Sequence, residues 1–100
     1  MIAQELLNPK SIVVIGASSD TQKPGGSVLR NLINSNFKGD IYTVNPKETE
    51  VQGIKCFQKV DDLPQVDCAI IAIAAKYCPA TVNTLAFEKG TKGFIIVSAG

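Results

Sequence analysis

The stretch from Ser11 to Gly26, SIVVIGASSDTQKPGG, constrains the fold more than any other part of this 100-residue chain. Ile12, Val13, Val14 and Ile15 are consecutive β-branched residues, a run that suits a strand covered on both faces. Gly16 then lets the backbone turn sharply and come close to a ligand, and Gly25 and Gly26 do the same where a helical pattern begins at Ser27. Val28, Leu29, Leu32 and Ile33 make a single apolar helix face, with Arg30, Asn31 and Asn34 opposite, and the helix ends near Asn36. Lys38-Gly39-Asp40 is turn chemistry, and Ile41, Tyr42, Thr43 and Val44 read as a second strand. Strand, loop, helix and strand form a βαβ unit.

The rest of the chain extends that unit. Asn45 to Gly53 reads as a loop, Ile54 to Phe57 as a short edge strand, and Asp61-Asp62-Leu63-Pro64 as a capped turn. Cys68 to Ala75, CAIIAIAA, is apolar enough for the sheet centre. Pro79 suits the first turn of a helix that turns Val82, Leu85, Ala86 and the stem of Lys89 to the sheet, with Gly90 closing it before a last strand, Phe94 to Val97. At the amino terminus Ile2, Leu6 and Leu7 have near-helical spacing, stopped by Asn8-Pro9, which predicts a short helix closing one end of the sheet. The alternation predicts an α/β domain with a Rossmann-like doubly wound parallel sheet of about five strands in the order 3-2-1-4-5. The ligand crevice then lies between the first and fourth strands, where the loops Gly16–Gly26, Asn45–Lys47 and Ile73–Lys76 converge. Because the chain stops just after a strand, at Gly100, with one long helix per sheet face, residues 1–100 are expected to be the front part of a larger polypeptide.

Composition restricts the chemistry. A net charge of +1 with 45% apolar and 19% charged residues gives no global electrostatic reason to bind nucleic acid or an anionic membrane, so any anion site is local. The longest apolar run falls well short of the roughly 20 residues of a membrane helix, and no basic segment precedes the first apolar residues, so a cytoplasmic protein is expected. The three cysteines show no CxxC spacing and there is no histidine, which excludes the usual zinc sites and favours reduced thiols. Cys78, just ahead of Pro79, is read as a small packed residue in preference to a reactive thiol.

The glycine loop is neither GxGxxG nor GxxxxGK[ST], because Ala17-Ser18-Ser19 follows Gly16 and Ser27-Val28 follows Gly26. What remains is Gly16, the hydroxyls of Ser18 and Ser19, Lys23, and a Gly25-Gly26 pair at a helix start. Together they offer backbone N–H groups, hydroxyl donors and a positive dipole end to a phosphate or pyrophosphate. The alternative is a tight βα turn whose serines merely cap the helix. An NAD site places an acidic residue at the end of the second strand, where this chain has Asn45-Pro46-Lys47. That favours a ligand with an extra phosphate, such as coenzyme A or NADP, over NAD; the alternative is a solvated lysine in a turn.

The segments SIVVIGAS, KPGGSVLRNLINSNFKGDIYTVNPK, VDCAIIAIAA and GFIIVSAG resemble the amino-terminal CoA-binding domain of NDP-forming acyl-CoA synthetases, relatives of the succinyl-CoA synthetase alpha subunit. The resemblance spans nearly the whole chain. It implies that Gly16, Ala17, Ser18, Ser19, Gly25 and Gly26 hold CoA phosphates and that Lys47 faces a CoA phosphate. The family's fourth strand usually ends in Val-Pro-Ala or Ile-Pro-Ala, where this chain has Ile73, Ala74 and Ala75, small side chains that leave room for a flat ring. The resemblance further implies ligation of a carboxylic acid to CoA, driven by ATP or GTP, through an acyl phosphate and a phosphohistidine. With no histidine present, no catalytic residue is assigned here, and the nucleotide and magnesium are expected on histidine-bearing and ATP-grasp domains or subunits. Other readings are a stand-alone or regulatory CoA-binding module, and an NAD(P)-binding Rossmann domain of an oxidoreductase or redox-sensing repressor, the latter disfavoured by Ser18 and Lys47.

Overall fold

In the computed structural model, which describes residues 9–97, the apolar runs become the strands of one six-stranded sheet. The elements are β1 (Ser11–Ile15), α1 (Pro24–Asn34), β2 (Asp40–Val44), β3 (Glu50–Val51), β4 (Ile54–Phe57), β5 (Cys68–Ile71), α2 (Cys78–Glu88) and β6 (Gly93–Ile96). Short 3₁₀ turns at Val60–Asp62 and Ala75–Tyr77 flank β5. The strand order is β3-β4-β2-β1-β5-β6, and every pairing is parallel except β3 with β4. Leaving β3 aside, this is the doubly wound order expected from the sequence. The helix expected over Ile2 to Leu7 and the strand-end position of Gly100 lie outside the described residues.

The chain leaves β1 in one direction through α1 and β5 in the other through α2, so right-handed crossovers put the two helices on opposite faces. Two cores result. Leu29 of α1 is fully buried with Val14, Ala17, Val51 and Cys56, and Val28 and Leu32 pack at its side. On the other face Leu85 and Cys78 of α2 pack with Val13, Ile15, Val44, Ala69 and Ile71. The split follows from the pleat of β1, which sends Val13 and Ile15 to one side and Val14 to the other.

Four local expectations need correction. The segment Asn45 to Gly53 is not all loop: Glu50 and Val51 pair antiparallel with Lys55 and Ile54, so β4 is covered by a hairpin rather than left at the edge. The turn is Gln52-Gly53, with φ of 50° and 82°, the two positive values that a type I′ turn demands. Second, α1 starts at Pro24 rather than Ser27, since proline is preset for the first helical position and its missing N–H leaves no bond unmade. Third, β5 stops at Ile71; Ala72 still donates to Ile15 O at 2.8 Å, but Ile73 and Ala74 leave the sheet. Fourth, Ala86 is exposed, because the sheet-facing stripe of α2 runs through Cys78, Val82 and Leu85. The Lys89 stem is half-buried and its Nζ donates to Asp61 O at 2.8 Å.

Among the described residues no helix is long and apolar enough to cross a membrane, and none of Cys56, Cys68 and Cys78 is in a disulfide. The Cys78 thiol is buried and donates to Ile73 O and Ala74 O at 3.9 and 3.7 Å, a packing role. Leu29→Ala should cost about 2–5 kcal/mol of stability, measured by urea unfolding, because the collapsed side chain leaves a cavity against β1. Ile33→Ala, on the same helix but 38% exposed, should cost about 1 kcal/mol or less.

Candidate functional site

The sheet register aligns the ends of the three central strands. Ile15 pairs with Val44 on one side and with Ile71 on the other, so Gly16, Asn45 and Ala72 leave the sheet at one level. The break between β1 and β5, where the strand order reverses, is the place where open α/β sheets bind ligands. Gly16 N donates to Val44 O at 2.9 Å. With φ of 86° Gly16 adopts a conformation that L side chains avoid, and a Cβ there would lie 2.5 Å from Ala72 O and 2.9 Å from Ile73 Cγ2. Glycine at this position therefore lets the loop after β1 pass against the loop after β5.

Gly25 and Gly26 are both buried in the first turn of α1, and their lack of a side chain serves contact between helix and loop. A Cβ on Gly25 would collide with Gly16 O, and one on Gly26 with Asp20 O, while Ser18 O would lie at 3.0 Å. The helix N-terminus is thereby drawn beneath the loop. Gly26 N and Ser27 N both donate to Lys23 O, at 3.0 and 2.9 Å, and Lys23, the residue preceding the helix, makes no side-chain cap.

Inside the loop the serines do not cap the helix. Ser18 Oγ accepts from Asp20 N at 3.0 Å, Asp20 Oδ1 from Gln22 N at 2.9 Å, and Asp20 O from Lys23 N at 3.1 Å, a chain of local turns that carries the backbone to Pro24. Among the described residues, the N–H groups of Ser18, Ser19 and Gly25 have no hydrogen-bond acceptor. Three unpaired donors beside a helix N-terminus, with no side chain at Gly16, Gly25 or Gly26, fit an anion such as a phosphate.

Of the residues singled out in the sequence, the structure brings Gly16, Ala17, Ser18, Gly25, Gly26, Asn45 and Ile73 together. Ala17 is fully buried beneath the loop and Ser19 is exposed on it. Asn45 is half-buried with both ends of its amide engaged, Nδ2 donating to Ala17 O and Oδ1 accepting from Lys47 N, each at 2.8 Å. Asn45 thus holds the loop and shapes its own turn, which presents Pro46 and Lys47 exposed at the end of β2. Lys23 and Ala75 are exposed, and Ala74 is half-buried where the chain turns into the 3₁₀ segment.

Gln52 was not among the residues expected at the site. It lies in the hairpin turn, far from the loop in sequence, yet its Nε2 donates to Ser18 O at 2.8 Å and Gly26 O at 3.0 Å. A glutamine before a glycine is at most a turn signal, and nothing local connects it to the loop. An open groove of about 590 Å³ lies at the opposite end of the sheet, lined by Pro9, Lys10, Asn36, Phe37, Lys38, Gly39 and Asp40. It receives no loop from the carboxyl end of a strand, so the glycine loop remains the better candidate.

Gly26→Ala should lower stability by about 1–3 kcal/mol in urea unfolding, because its Cβ meets backbone carbonyls that yield only if the loop moves. Ser19→Ala, at an exposed position, should stay within about 0.5 kcal/mol of the parent chain.

Comparison with known proteins identifies the family of the chain. The chain is 44% identical, over 97% of its own length and 14% of the relative's, to an ADP-forming acetate–CoA ligase II of Archaeoglobus fulgidus. It is 45% identical, over 95% of its length and 13% of the relative's, to a trans-feruloyl-CoA synthase of an unknown prokaryotic organism. Among solved structures it superposes with a TM-score of 0.88 and 37% identity on a dinucleotide forming acetyl-coenzyme A synthetase 1 of Candidatus Korarchaeum cryptofilum, solved with phosphate and ADP, covering 97% of this chain and 21% of that one. The chain therefore spans only a small part of the length of these relatives. Residues 10–100 match the family described as CoA binding domain, and the chain belongs to that family.

Proposed function

We propose that this chain binds coenzyme A at the carboxyl edge of β1, β2 and β5, as the CoA-holding part of an NDP-forming acyl-CoA ligase. The observation that carries the reading is the set of unpaired Ser18, Ser19 and Gly25 N–H groups, gathered where the first turn of α1 lies under the loop. Backbone donors at a helix N-terminus suit the pyrophosphate of CoA, which two or more oxygens can reach at once. Lys47, exposed on the turn that Asn45 shapes, is assigned to the 3′-phosphate, and Lys23 adds positive charge beside the helix start. Ile73, Ala74 and Ala75 offer small, partly apolar surface for the adenine.

When bound, CoA supplies the thiol that displaces phosphate from an activated carboxylic acid. This chain's own residues bind and orient that ligand. It contains no histidine, so phosphoryl transfer through a phosphohistidine, together with ATP or GTP and magnesium, belongs to partner domains or subunits. The acyl group is assigned to those parts as well. Relatives named for acetate and for trans-feruloyl-CoA are about equally similar to this chain, at 44% and 45% identity, which supports a site that handles what the two reactions share.

Calorimetric titration of the 100-residue chain with CoA, NAD and NADP tests the ligand. Selective heat with CoA is expected, whereas saturable binding of NAD without CoA would overturn the reading. Lys47→Ala should weaken CoA more than dephospho-CoA, by about 1–2 kcal/mol for one charge-assisted contact. Equal losses for the two ligands would remove Lys47 from the 3′-phosphate.

A further inference from the structure

Gln52 occupies an unusual position for a turn residue. Its backbone is held at φ of 50°, a region more easily filled by glycine or asparagine, yet its side chain spans from the hairpin to the ligand loop. One amide nitrogen reaches two carbonyls, Ser18 O at 2.8 Å and Gly26 O at 3.0 Å. Ser18 belongs to the loop and Gly26 to the first turn of α1, so a single NH₂ group joins them from outside.

The consequence follows from peptide geometry. In a trans peptide the carbonyl and the next residue's N–H point in opposite directions, and the described chain has no cis bonds. Holding Ser18 O therefore fixes the direction of Ser19 N–H, which points away from Gln52. Asn45 does the same one residue earlier: its Nδ2 holds Ala17 O at 2.8 Å and so aims Ser18 N–H. Two amide side chains, one after β2 and one between β3 and β4, thus orient two successive peptide planes. The two N–H groups they aim are unpaired among the described residues.

We infer that Gln52 is a positioning residue for the anion loop: it holds the Ser18 carbonyl against α1 so that Ser19 N–H stands ready for a ligand phosphate. The inference rests on the CoA reading above for the identity of that ligand. Without the side chain Ser18 O loses its partner, the Ser18–Ser19 peptide is free to rotate, and binding must reorder it, which lowers affinity without touching any group that contacts CoA.

Two variants separate this role from a role in the turn. Gln52→Met keeps the length of the side chain and removes the donors. Gln52→Gly removes the side chain while easing the positive-φ turn, so it should fold at least as well as the parent. Both are expected to weaken CoA and dephospho-CoA alike, by about tenfold, the size of one lost well-placed hydrogen bond. In ¹H–¹⁵N spectra of the ligand-free chain, the Ser18 and Ser19 amide resonances should shift or broaden in both variants. Gln52→Gly that binds CoA like the parent, with those resonances unmoved, would overturn the inference. If the parent chain itself binds no CoA, the ligand assignment fails, and the amide resonances alone then decide: moved signals uphold the clamp and unmoved signals refute it.

Discussion

The contact between Gly25 and the Gly16 carbonyl is the constraint on which the site depends. The helix N-terminus cannot lie under the loop unless Gly25 and Gly26 both lack a Cβ, because Gly16 O and Asp20 O already occupy that space. Close approach has two consequences. It places the Gly25 N–H and the positive end of α1 within the loop that carries the Ser18 and Ser19 donors, and it lets Leu29, one turn further on, descend into the core beside Val14 and Ala17. Packing and the placement of the loop's backbone donors are therefore set by the same two missing methyl groups.

Around this contact the site is built from backbone more than from side chains. The side chains that would usually be counted as functional are mostly supports: the Asn45 and Gln52 amides hold carbonyls, Ser18 Oγ closes a local turn, and Asp20 both accepts from Gln22 and carries the chain toward Pro24. The exposed cations Lys23 and Lys47 stand at the rim. On the proposed reading such an arrangement costs little reorganisation on binding an anion, because the carbonyls preceding the Ser18 and Ser19 donors are already paired.

Much of the fold was legible from residues 11–97. Four-residue runs of high β propensity marked β1, β2 and β6, the 3.6-residue spacing of Val28, Leu29, Leu32 and Ile33 marked α1, and the alternation of the two gave the strand order by way of crossover handedness. The misses share a cause. The hairpin strand β3 has two residues, of which only Val51 is apolar and buried, too short for any periodicity. The end of β5 fell inside the uniformly apolar run Cys68 to Ala75, where composition does not change at the boundary. The start of α1 hid behind Gly25-Gly26, which read as loop because glycine is a poor helix former, while the contact with Gly16 that requires glycine is invisible in a linear sequence.

Read as a linear chain, the residues already establish a glycine loop between a buried strand and an amphipathic helix, the absence of both standard nucleotide fingerprints, and Asn45-Pro46-Lys47 where an acidic residue serves NAD. These are local properties, carried by neighbours in the chain. It took the folded chain to settle which donors are left unpaired, that Gly25 and Gly26 lie against Gly16 O and Asp20 O, and that Gln52 reaches Ser18 and Gly26. Those depend on parallel register, which brings the ends of β1, β2 and β5 to one level, and on a hairpin that folds back across β4. Hydrogen bonds between residues 26 to 34 positions apart are settled by where strands end in space, and no local pattern encodes that.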